Sequence, residues 1–494
     1  MTFSLLDFYI TDFRKTLFPL ITNKFLIQNG QNEIKSFINK CLDNGQHFYS
    51  FRSQTRVYAG KPNFHLRRTV KLDPVAEFFI YEIIFRNRNL FRSPFSEDKK
   101  HYGYRFQKGV PLNPSGSFKG YKGAISAYRD QFRFSLSFDV AAYFNSIYHH
   151  DLVSWFSISG ASIKDYESLG QFLRETNSGR SVDCLPQGIY PTKMIGNDFL
   201  RFIEQFHGLK SNAVVRFMDD FVLFSDSRRD LRHDFVKIQQ LLGEKGLSLN
   251  PNKTSDGIRE NVSLEKAIET VRRNLLRRRR VIAKDYDGIS SENAEDMAIE
   301  KDLSEEEMGF LRGLLQQDDI DEEDAELVLS LMAEHAEEAM DKLGDIARKF
   351  PHLFKNIYSF CADVDDTDAL AAFMLELLGD RDAMLYEFQL FWMAHILEDR
   401  LMDSPKAAKI INMMYNHENA TSISRAKIME IPDQRYGLME LRNGHLSNGQ
   451  SDWLSWSSAV GHRKLKKIER RHQLGYFAKS SNYNKLIFDI VSKI

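Results

Sequence analysis

One short stretch, residues 214–224, constrains the fold of this chain more than any other part of its sequence. It reads Val-Val-Arg-Phe-Met-Asp-Asp-Phe-Val-Leu-Phe, so two apolar, β-prone runs flank the adjacent carboxylates Asp219 and Asp220. Apolar runs that close on a short polar centre are typical of a β-hairpin. The stretch therefore predicts a strand, a tight turn and a second strand, with two acidic side chains presented together at the tip.

A second predicted strand supplies a third carboxylate. Apolar and polar residues alternate in residues 134–139, Phe-Ser-Leu-Ser-Phe-Asp, and this period of two predicts a half-buried strand with Asp139 on its polar side. If this strand lies beside the hairpin, Asp139, Asp219 and Asp220 would share two divalent cations about 3.5–4 Å apart, as phosphoryl-transfer sites do. Oxygen ligands of this kind suit Mg²⁺, and Mn²⁺ is the alternative.

Charge is distributed unevenly along the chain, although the formal net charge is only −1. Residues 285–345 hold 22 acidic and 3 basic side chains, which leaves the rest of the chain with a net charge of +18. A basic body predicts a polyanionic partner, whereas solvated helix faces explain the acidic segment and the other Asp-Asp pairs, 318–319 and 365–366.

The three cysteines lack disulfide or zinc spacing and predict a reducing, cytoplasmic location. No signal peptide or run that would span a membrane is expected.

The sequence patterns predict three domains. Residues 1–255 mix helices, short strands and Gly-containing turns, and residues 256–300 form a basic helical segment. Residues 301–494 form an all-α domain of amphipathic segments that ends in a basic, aromatic tail. A HEAT-like array and a plain helical bundle both fit this last domain, because no repeat of fixed period is found.

Four motifs follow one another within about 120 residues. They are FDVAAYFNSIYHHDL (138–152), LPQGIYPTKMIGNDFL (185–200), VVRFMDDFVLF (214–224) and GLSLNPNKT (246–254). Their order and content resemble motifs A to D of reverse transcriptases, especially the bacterial ones related to group II introns. The resemblance implies an α+β right-hand polymerase with fingers, a palm with an antiparallel sheet and a helical thumb, followed here by an all-α C-terminal domain. It also implies an RNA-directed DNA polymerase, a nucleotidyltransferase that uses an RNA template and dNTPs to make DNA.

The resemblance assigns catalytic roles position by position. Asp139, Asp219 and Asp220 match the metal ligands, with the carbonyl of Val140 as a further contact. Lys253 matches the motif D lysine, which would neutralise charge or donate a proton at the leaving pyrophosphate. An exposed loop lysine explains Lys253 equally well.

Nucleotide-binding roles follow in the same way. Phe144 falls at the position of an aromatic steric gate, where a ring would clash with a ribose 2′-OH and favour dNTPs; packing in the core is the competing interpretation. Phe217 stands where the family more often has Tyr. The other implied nucleotide-binding residues come from the fingers segments and the motif B turn: Arg67, Arg68, Lys71, Gln187 and Gly188.

Basic residues outside these motifs are predicted to bind nucleic acid. An arginine cluster after motif D lies where the family has its thumb, and phosphate contacts there would make binding salt-dependent. The basic tail is interleaved with aromatic residues, which suits single strands. The predicted set is Arg105, Arg272, Arg273, Arg277, Arg278, Arg279, Arg280, Arg463, Lys464 and Lys467. If DNA chains start on a protein hydroxyl, as in some related enzymes, Tyr476 and Tyr483 are the candidates.

The remaining features favour one branch of the family. The chain lacks the Val-Thr-Gly signature of retron enzymes and the His/Cys-rich segment of many group II intron proteins. Its long helical tail is similar to that of bacterial abortive-infection and defence-associated reverse transcriptases, which implies an antiphage role, a dedicated non-coding RNA in some members and a homo-oligomer. The alternatives are a group II intron or retron-type enzyme, an RNA-dependent RNA polymerase, and a non-catalytic RNA-binding scaffold. Phe144 argues against the second, and the repulsion among three carboxylates argues against the third.

Overall fold

The structure, a computed structural model, describes residues 3–43, 48–94, 96–183, 185–258, 275, 303–317 and 319–493. The predicted arginine cluster at 272–280 lies outside the described residues, as does nearly all of the predicted segment 256–300. The contacts divide the chain into two compact units. The first comprises Met1–Leu17, Ile34–Arg56 and Thr69–Ser263, and the second comprises Phe18–Glu33, Val57–Arg68 and Leu264–Ile494. Each unit is thus assembled from separate segments of the chain, whereas the three predicted domains are contiguous.

Residues up to 258 form both helices and strands. The helices are α1 (Leu5–Phe13), α2 (Ile21–Asn29), α3 (Gln31–Cys41), α4 (Pro74–Arg86), α5 (Pro114–Gln131), α6 (Tyr143–Ser146), α7 (His149–Ile158), α8 (Ile163–Thr176), α9 (Tyr190–Phe199), α10 (Arg201–Glu204) and α11 (Arg228–Gly243). The strands are β1 (Thr55–Gly60), β2 (Leu66–Lys71), β3 (Lys99–Tyr102), β4 (Phe106–Gln107), β5 (Val110–Pro111), β6 (Phe134–Asp139), β7 (Ala213–Phe217), β8 (Asp220–Ser225) and β9 (Ser255–Ile258). Five of these helices, α1, α4, α5, α8 and α11, begin at a polar residue whose side chain caps the helix; the caps are Ser4, Asp73, Asn113, Ser162 and Ser227.

A five-stranded sheet organises the first unit. Its strand order is β3-β7-β8-β6-β9, and all neighbours are antiparallel except the edge pair β3 and β7. The strand predicted at residues 134–139 is β6, and the two strands of the predicted hairpin are β7 and β8. Strand β9 was not predicted, because its sequence Ser-Asp-Gly-Ile has no apolar alternation and its structure depends on pairing with β6.

One face of the five-stranded sheet packs against helix α5. This face carries Val215, Val222 and Phe224, which pack with Tyr121 and Ile125 of α5 in one apolar cluster. Because directly paired residues share a face, Asp139 and Asp220 lie on this same side of the sheet. The sheet is thereby anchored by α5 on the side that carries the acids.

The second unit is helical over residues 303–493 as far as the structure describes them. Its helices after α2 are α12 (Glu305–Leu315), α13 (Glu322–Leu331), α14 (Ala336–Lys349), α15 (Phe354–Cys361), α16 (Thr367–Gly379), α17 (Glu387–Ile396), α18 (Ala407–Tyr415), α19 (Ser422–Met429), α20 (Leu438–Ser447), α21 (Trp453–Gly461), α22 (Lys467–Gln473) and α23 (Asn482–Val491). The predicted α+β class with a helical C-terminal region is confirmed. No helix built from the described residues combines the length and the apolar character needed to cross a membrane.

A buried ionic network lies inside the second unit. Lys427 and Glu430 are fully buried, and the Lys427 ammonium donates to Glu430 Oε1 at 3.0 Å and to the Glu398 carboxylate. Glu430 also accepts from the backbone N–H groups of Ile21 and Thr22, at 2.9 and 2.7 Å, and so caps the start of α2. One lysine thus compensates the fully buried carboxylate of Glu430 and the half-buried carboxylate of Glu398.

We expect Lys427→Met to lower the free energy of unfolding by about 3–5 kcal/mol, because buried Glu430 and half-buried Glu398 lose their shared counter-charge. Denaturant titration of the full chain measures this loss. Lys409→Met is the matched control, since Lys409 is exposed on α18, and it should change the free energy by less than about 0.5 kcal/mol. Equal midpoints for the two variants would contradict the proposed role of the network.

Candidate active site

The hairpin β7–β8 closes on a tight turn that contains the first carboxylate. Phe217 pairs with Asp220, so Met218 and Asp219 form the two-residue turn. Met218 has a φ of +57°, in the left-handed region that side-chain-bearing residues enter only at an energetic cost. A strained residue at this position persists only if surrounding contacts hold it.

Strand β6 brings the third carboxylate to the hairpin. Asp139 pairs directly with Asp220, which places their side chains on the same face. The backbone beside Asp139 is fixed on two sides, because Val140 N donates to Asp219 O at 3.3 Å and Asn250 N donates to Asp139 O at 3.0 Å. The C-terminal end of β6 is thus held between the hairpin and the segment that carries Lys253.

The three acids lie beside one another, since Asp139 pairs with Asp220 and Asp219 occupies the adjacent turn. Burial raises the pKa of Asp219 to about 6, and repulsion from Asp220 and Asp139 adds to the shift. Burial also raises the pKa of Asp220; the charge of Lys253 opposes this shift, and that of Asp139 adds to it. Carboxylates that repel one another in this way are stabilised in their ionised form by a cation.

Lys253 provides the nearest positive charge. Its Nζ donates to Asp139 Oδ2 at 2.7 Å, and this hydrogen bond raises the pKa of Lys253. The other oxygen, Asp139 Oδ1, is buried and has no hydrogen-bond partner among the described residues. Within the described ranges, no three His, Cys, Asp or Glu side chains are grouped as a metal-binding cluster. The donor set of clustered carboxylates with one unpartnered oxygen nevertheless fits a hard divalent cation.

The motif B turn is tied to β2 of the fingers sequence. Gln187 N donates to Thr69 Oγ1 at 2.8 Å, Thr69 Oγ1 donates to Gln187 O at 3.2 Å, and Gln187 Nε2 donates to Asn145 Oδ1 at 3.3 Å. Gly188 has a φ of +103°, and a Cβ there would lie 2.9 Å from Leu17 Cγ, so only glycine fits. Thr69 was not among the predicted site residues, because an isolated threonine in a strand gives no sequence signal.

Phe144 lies against the motif B helix α9. A Cβ added at Gly196 would come within 3.0 Å of Phe144 Cζ. The neighbouring Tyr143 is buried, and its hydroxyl donates to the carbonyl of Gly196 at 2.7 Å. Phe144 itself is half-buried. Its ring is therefore held in one place while part of it stays accessible.

A buried network on the opposite face of the sheet holds the turn between β7 and β8. Arg216 is fully buried; its Nε donates to the Glu204 carboxylate, and its Nη1 donates to Met218 O at 2.8 Å. His101 Nδ1 lies 3.3 Å from Glu204 Oε2. Burial by itself would raise the pKa of Glu204, but Arg216 and His101 outweigh it and lower the pKa to about 2. Arg216 thus connects a buried ion pair to the strained residue beside Asp219. In the sequence, the available signal for this network was Arg216 itself, a charged residue within an otherwise apolar strand.

Other residues predicted to contact nucleotide or nucleic acid have varied surroundings. Lys71 is buried and forms an ion pair with buried Glu77 at 2.8 Å. Arg67 and Arg68 are exposed on β2 and belong to the second unit. Arg105 is half-buried, and its carbonyl accepts from the hydroxyl of Tyr190 at 3.1 Å. The roles of these four basic residues stay predictions.

The predicted residues of the basic tail differ in exposure. Arg463 Nη1 donates to the carbonyl of Val460 at 3.1 Å, within the helical unit, while Lys464 and Lys467 are exposed. Of the two candidate priming residues, Tyr476 is 62% exposed and Tyr483 is 3% exposed. Tyr476 is therefore the more accessible hydroxyl.

Comparison with known protein families decides the class of this site. Residues 102–272 match the family described as "Reverse transcriptase (RNA-dependent DNA polymerase)". The chain contains a reverse transcriptase domain. The matched stretch is about a third of the chain and includes all three carboxylates, the motif B turn and Lys253. The match indicates an RNA-directed DNA polymerase, a nucleotidyltransferase from a family that uses divalent metal ions.

Solved structures similar to this chain include three telomerase structures. Apo telomerase from Candida tropicalis is 9% identical with a TM-score of 0.32, and the match covers 79% of this chain and 74% of that one. Telomerase from Candida albicans with a fragment of telomeric RNA is 12% identical, with a TM-score of 0.28 and coverages of 74% and 66%. The corresponding Candida tropicalis complex is 10% identical, with a TM-score of 0.30 and coverages of 74% and 64%. No curated protein sequence matches the chain. Such low superposition scores carry no argument about the partners of this chain.

Proposed function

We propose that the reverse transcriptase domain adds dNTPs to a DNA chain on an RNA template, with Asp139, Asp219 and Asp220 holding two Mg²⁺ ions. The observation that carries the proposal is the pairing of Asp139 with Asp220 beside the turn residue Asp219, in a domain of this family. The ions would lower the barrier to phosphoryl transfer by stabilising the attacking and leaving oxygens. Mn²⁺ would serve the same donors.

The surrounding residues would position the substrates. Gln187, held by Thr69 and Asn145, presents the motif B turn, and Gly188 lets that turn pack closely against Leu17. Lys253 would neutralise the charge that develops on the leaving pyrophosphate, since it already lies beside the carboxylates. Arg67, Arg68 and Lys71 are the proposed contacts to the triphosphate. Of these, Lys71 is engaged by Glu77.

The proposed activity is tested by incorporation of labelled dNTPs on a primed RNA template with Mg²⁺. Omission of the metal, or replacement of the RNA template by a buffer blank, should abolish labelled product. A purified chain that incorporates rNTPs faster than dNTPs on the same template would make the RNA polymerase alternative the better description.

Substitution of Phe144 by Val should admit ribonucleotides. The half-buried ring is fixed by α9 and would clash with a 2′-OH, so its removal should lower discrimination between dNTPs and rNTPs by about tenfold or more. The measurement is the ratio of kcat/KM for dGTP and rGTP. Phe202→Val, at a phenylalanine of α10 that is also half-buried, is the control and should leave the ratio unchanged. If Phe144 only packs in the core, Phe144→Val would lower both kcat/KM values equally.

We further propose that the polymerase acts in bacterial antiphage defence, with a dedicated non-coding RNA, as a homo-oligomer, and with DNA chains started on Tyr476. The sequence resemblance to defence-associated enzymes and the long helical region support the proposal, and the exposure of Tyr476 makes it the first residue to test. Plating efficiency of phages on cells with the wild-type protein or its Tyr476→Phe variant tests the biological role. Sequencing of nucleic acid that co-purifies identifies any bound RNA and any DNA linked to protein.

A non-catalytic scaffold is the second candidate, because the Lys253 ammonium donates to Asp139 Oδ2 and occupies an oxygen that a metal ion would need. A scaffold would keep its effect on phage growth after substitution of Asp219 and Asp220 by Asn. Loss of that effect, with the amount of protein unchanged, would exclude the scaffold.

A further inference from the structure

A cleft of about 560 Å³ in the first unit has a basic lining and is not used by the proposed reaction. Its charged side chains come from three places in the sequence: Arg88 and Arg92 follow α4, Lys108 lies between β4 and β5, and Arg201 begins α10. Phe106 contributes an aromatic wall, and no Asp or Glu is found among the described lining residues. Four positive charges around one opening favour an anionic ligand.

Arg201 is the most informative of these residues, because it is nine-tenths buried. Its Nη1 donates to Asp198 Oδ1 at 3.3 Å, but its Nε has no hydrogen-bond partner among the described residues. Asp198 is shared with the indole N–H of Trp155 at 3.2 Å. An incompletely paired guanidinium is costly to bury, and a ligand anion in the cleft would supply the missing acceptor.

Unlike Arg201, the other three basic residues have no acidic partner in the described part of the chain. The Arg88 side chain packs on Phe85. Its Nη1 donates to Phe85 O at 2.7 Å, and its guanidinium lies 4.3 Å from the Phe85 ring centroid. Arg92 is exposed at the opening. Lys108 occupies the first position of a two-residue hairpin turn with a φ of +51°, followed by Gly109 at +84°. Asn, Asp or Gly would be easier to accommodate at this first position. Lys108 therefore places a positive charge at the rim in a backbone conformation that is unfavourable for lysine.

We propose that this cleft binds a phosphate-bearing ligand, with Arg201 and Arg88 on the phosphate and Lys108 and Arg92 at the rim. The planar guanidinium donates two parallel hydrogen bonds and matches phosphate geometry, and the volume suits a nucleotide-sized group. A free nucleoside triphosphate and the backbone of a polynucleotide offer the same chemistry. The proposal does not depend on the assignment of the carboxylates, since none of them lines the cleft.

Fluorescence anisotropy with the full chain tests the proposal, using a labelled nucleoside triphosphate and a labelled single-stranded RNA as separate probes. The cleft variants are Arg201→Gln and the double variant Arg92→Gln with Lys108→Gln, whose side chains are exposed and whose replacement leaves the interior intact. The matched controls are Lys164→Gln and Arg232→Gln, both exposed elsewhere in the first unit. We expect both cleft variants to bind one probe at least about tenfold more weakly than the controls.

The pattern of losses identifies the source of the phosphate. A loss for the triphosphate alone, with competition by inorganic triphosphate, indicates a free nucleotide. A loss for the RNA, with a reduced dependence of affinity on salt, indicates the strand backbone. Wild-type affinity of the double variant for both probes, or equal losses in the control variants, would overturn the proposal. Because binding rather than incorporation is measured, this result is independent of whether the polymerase site is active.

Discussion

We expect Asp219→Asn to reduce dNTP incorporation by about a thousandfold or more and to leave the fold intact. The change removes a charge from the site but keeps the shape of the side chain, and the cations that Asp219 is proposed to hold would contribute several kcal/mol to transition-state stabilisation. A loss of about 4 kcal/mol corresponds to about a thousandfold in rate. The measurement is the single-turnover rate of labelled dNTP addition on a primed RNA template, together with thermal unfolding of the variant.

The chain offers a control for this substitution in a second Asp-Asp pair. Asp365 is exposed in the helical unit, so Asp365→Asn should retain the wild-type rate. Because Asp139 pairs with Asp220 beside the same turn, Asp139→Asn should be as inactive as Asp219→Asn. An Asp219→Asn protein that incorporates dNTPs at the wild-type rate would remove the carboxylates from the proposed reaction.

The second large effect is expected at Arg216, whose two roles can be separated. Arg216→Met should lower the free energy of unfolding by about 3–5 kcal/mol, because it leaves Glu204 buried with His101 alone. The double variant with Glu204→Leu replaces both members of the ion pair by apolar groups, and such replacements are often neutral or stabilising. Denaturant titration should therefore show that the double variant recovers most of the lost stability.

The double variant should nevertheless remain a poor enzyme. Met218 O has lost the hydrogen bond from Arg216 Nη1, and a displacement of about 1 Å in the turn that carries Asp219 would cost about a hundredfold in rate. We expect kcat to fall while the KM for dNTP stays unchanged, because the turn positions the metal ligands rather than the nucleotide base. Arg232→Met on α11 is the control for the substitution itself. Recovery of both stability and kcat by the double variant would show that Arg216 is structural only.

The parts of the site that could be predicted from the sequence are those encoded locally. The period of two in residues 134–139 and the two apolar runs around Asp219 are properties of short segments, and both became neighbouring strands of one sheet. The fixed order of the motifs then identified the family. The α+β class followed from the same signals.

The parts that escaped prediction depend on contacts between distant segments. Arg216 meets Glu204 and His101 only after β3 pairs with β7, and strand β9 exists only through β6. Lys71 was predicted to grip a triphosphate, yet it is buried against Glu77. A basic residue six positions from a glutamate has the same local sequence whether the pair is buried or exposed, so its burial could not be inferred.

The central claim, that the carboxylates beside the hairpin jointly hold divalent cations, is tested most directly by anomalous diffraction from crystals grown with Mn²⁺ and a dNTP. The proposed function predicts two Mn²⁺ peaks about 3.5–4 Å apart, in contact with Asp139 and Asp219, and a Lys253 ammonium displaced from Asp139 Oδ2. A map without Mn²⁺ peaks at these carboxylates, in which Lys253 keeps its hydrogen bond to Asp139, would contradict it.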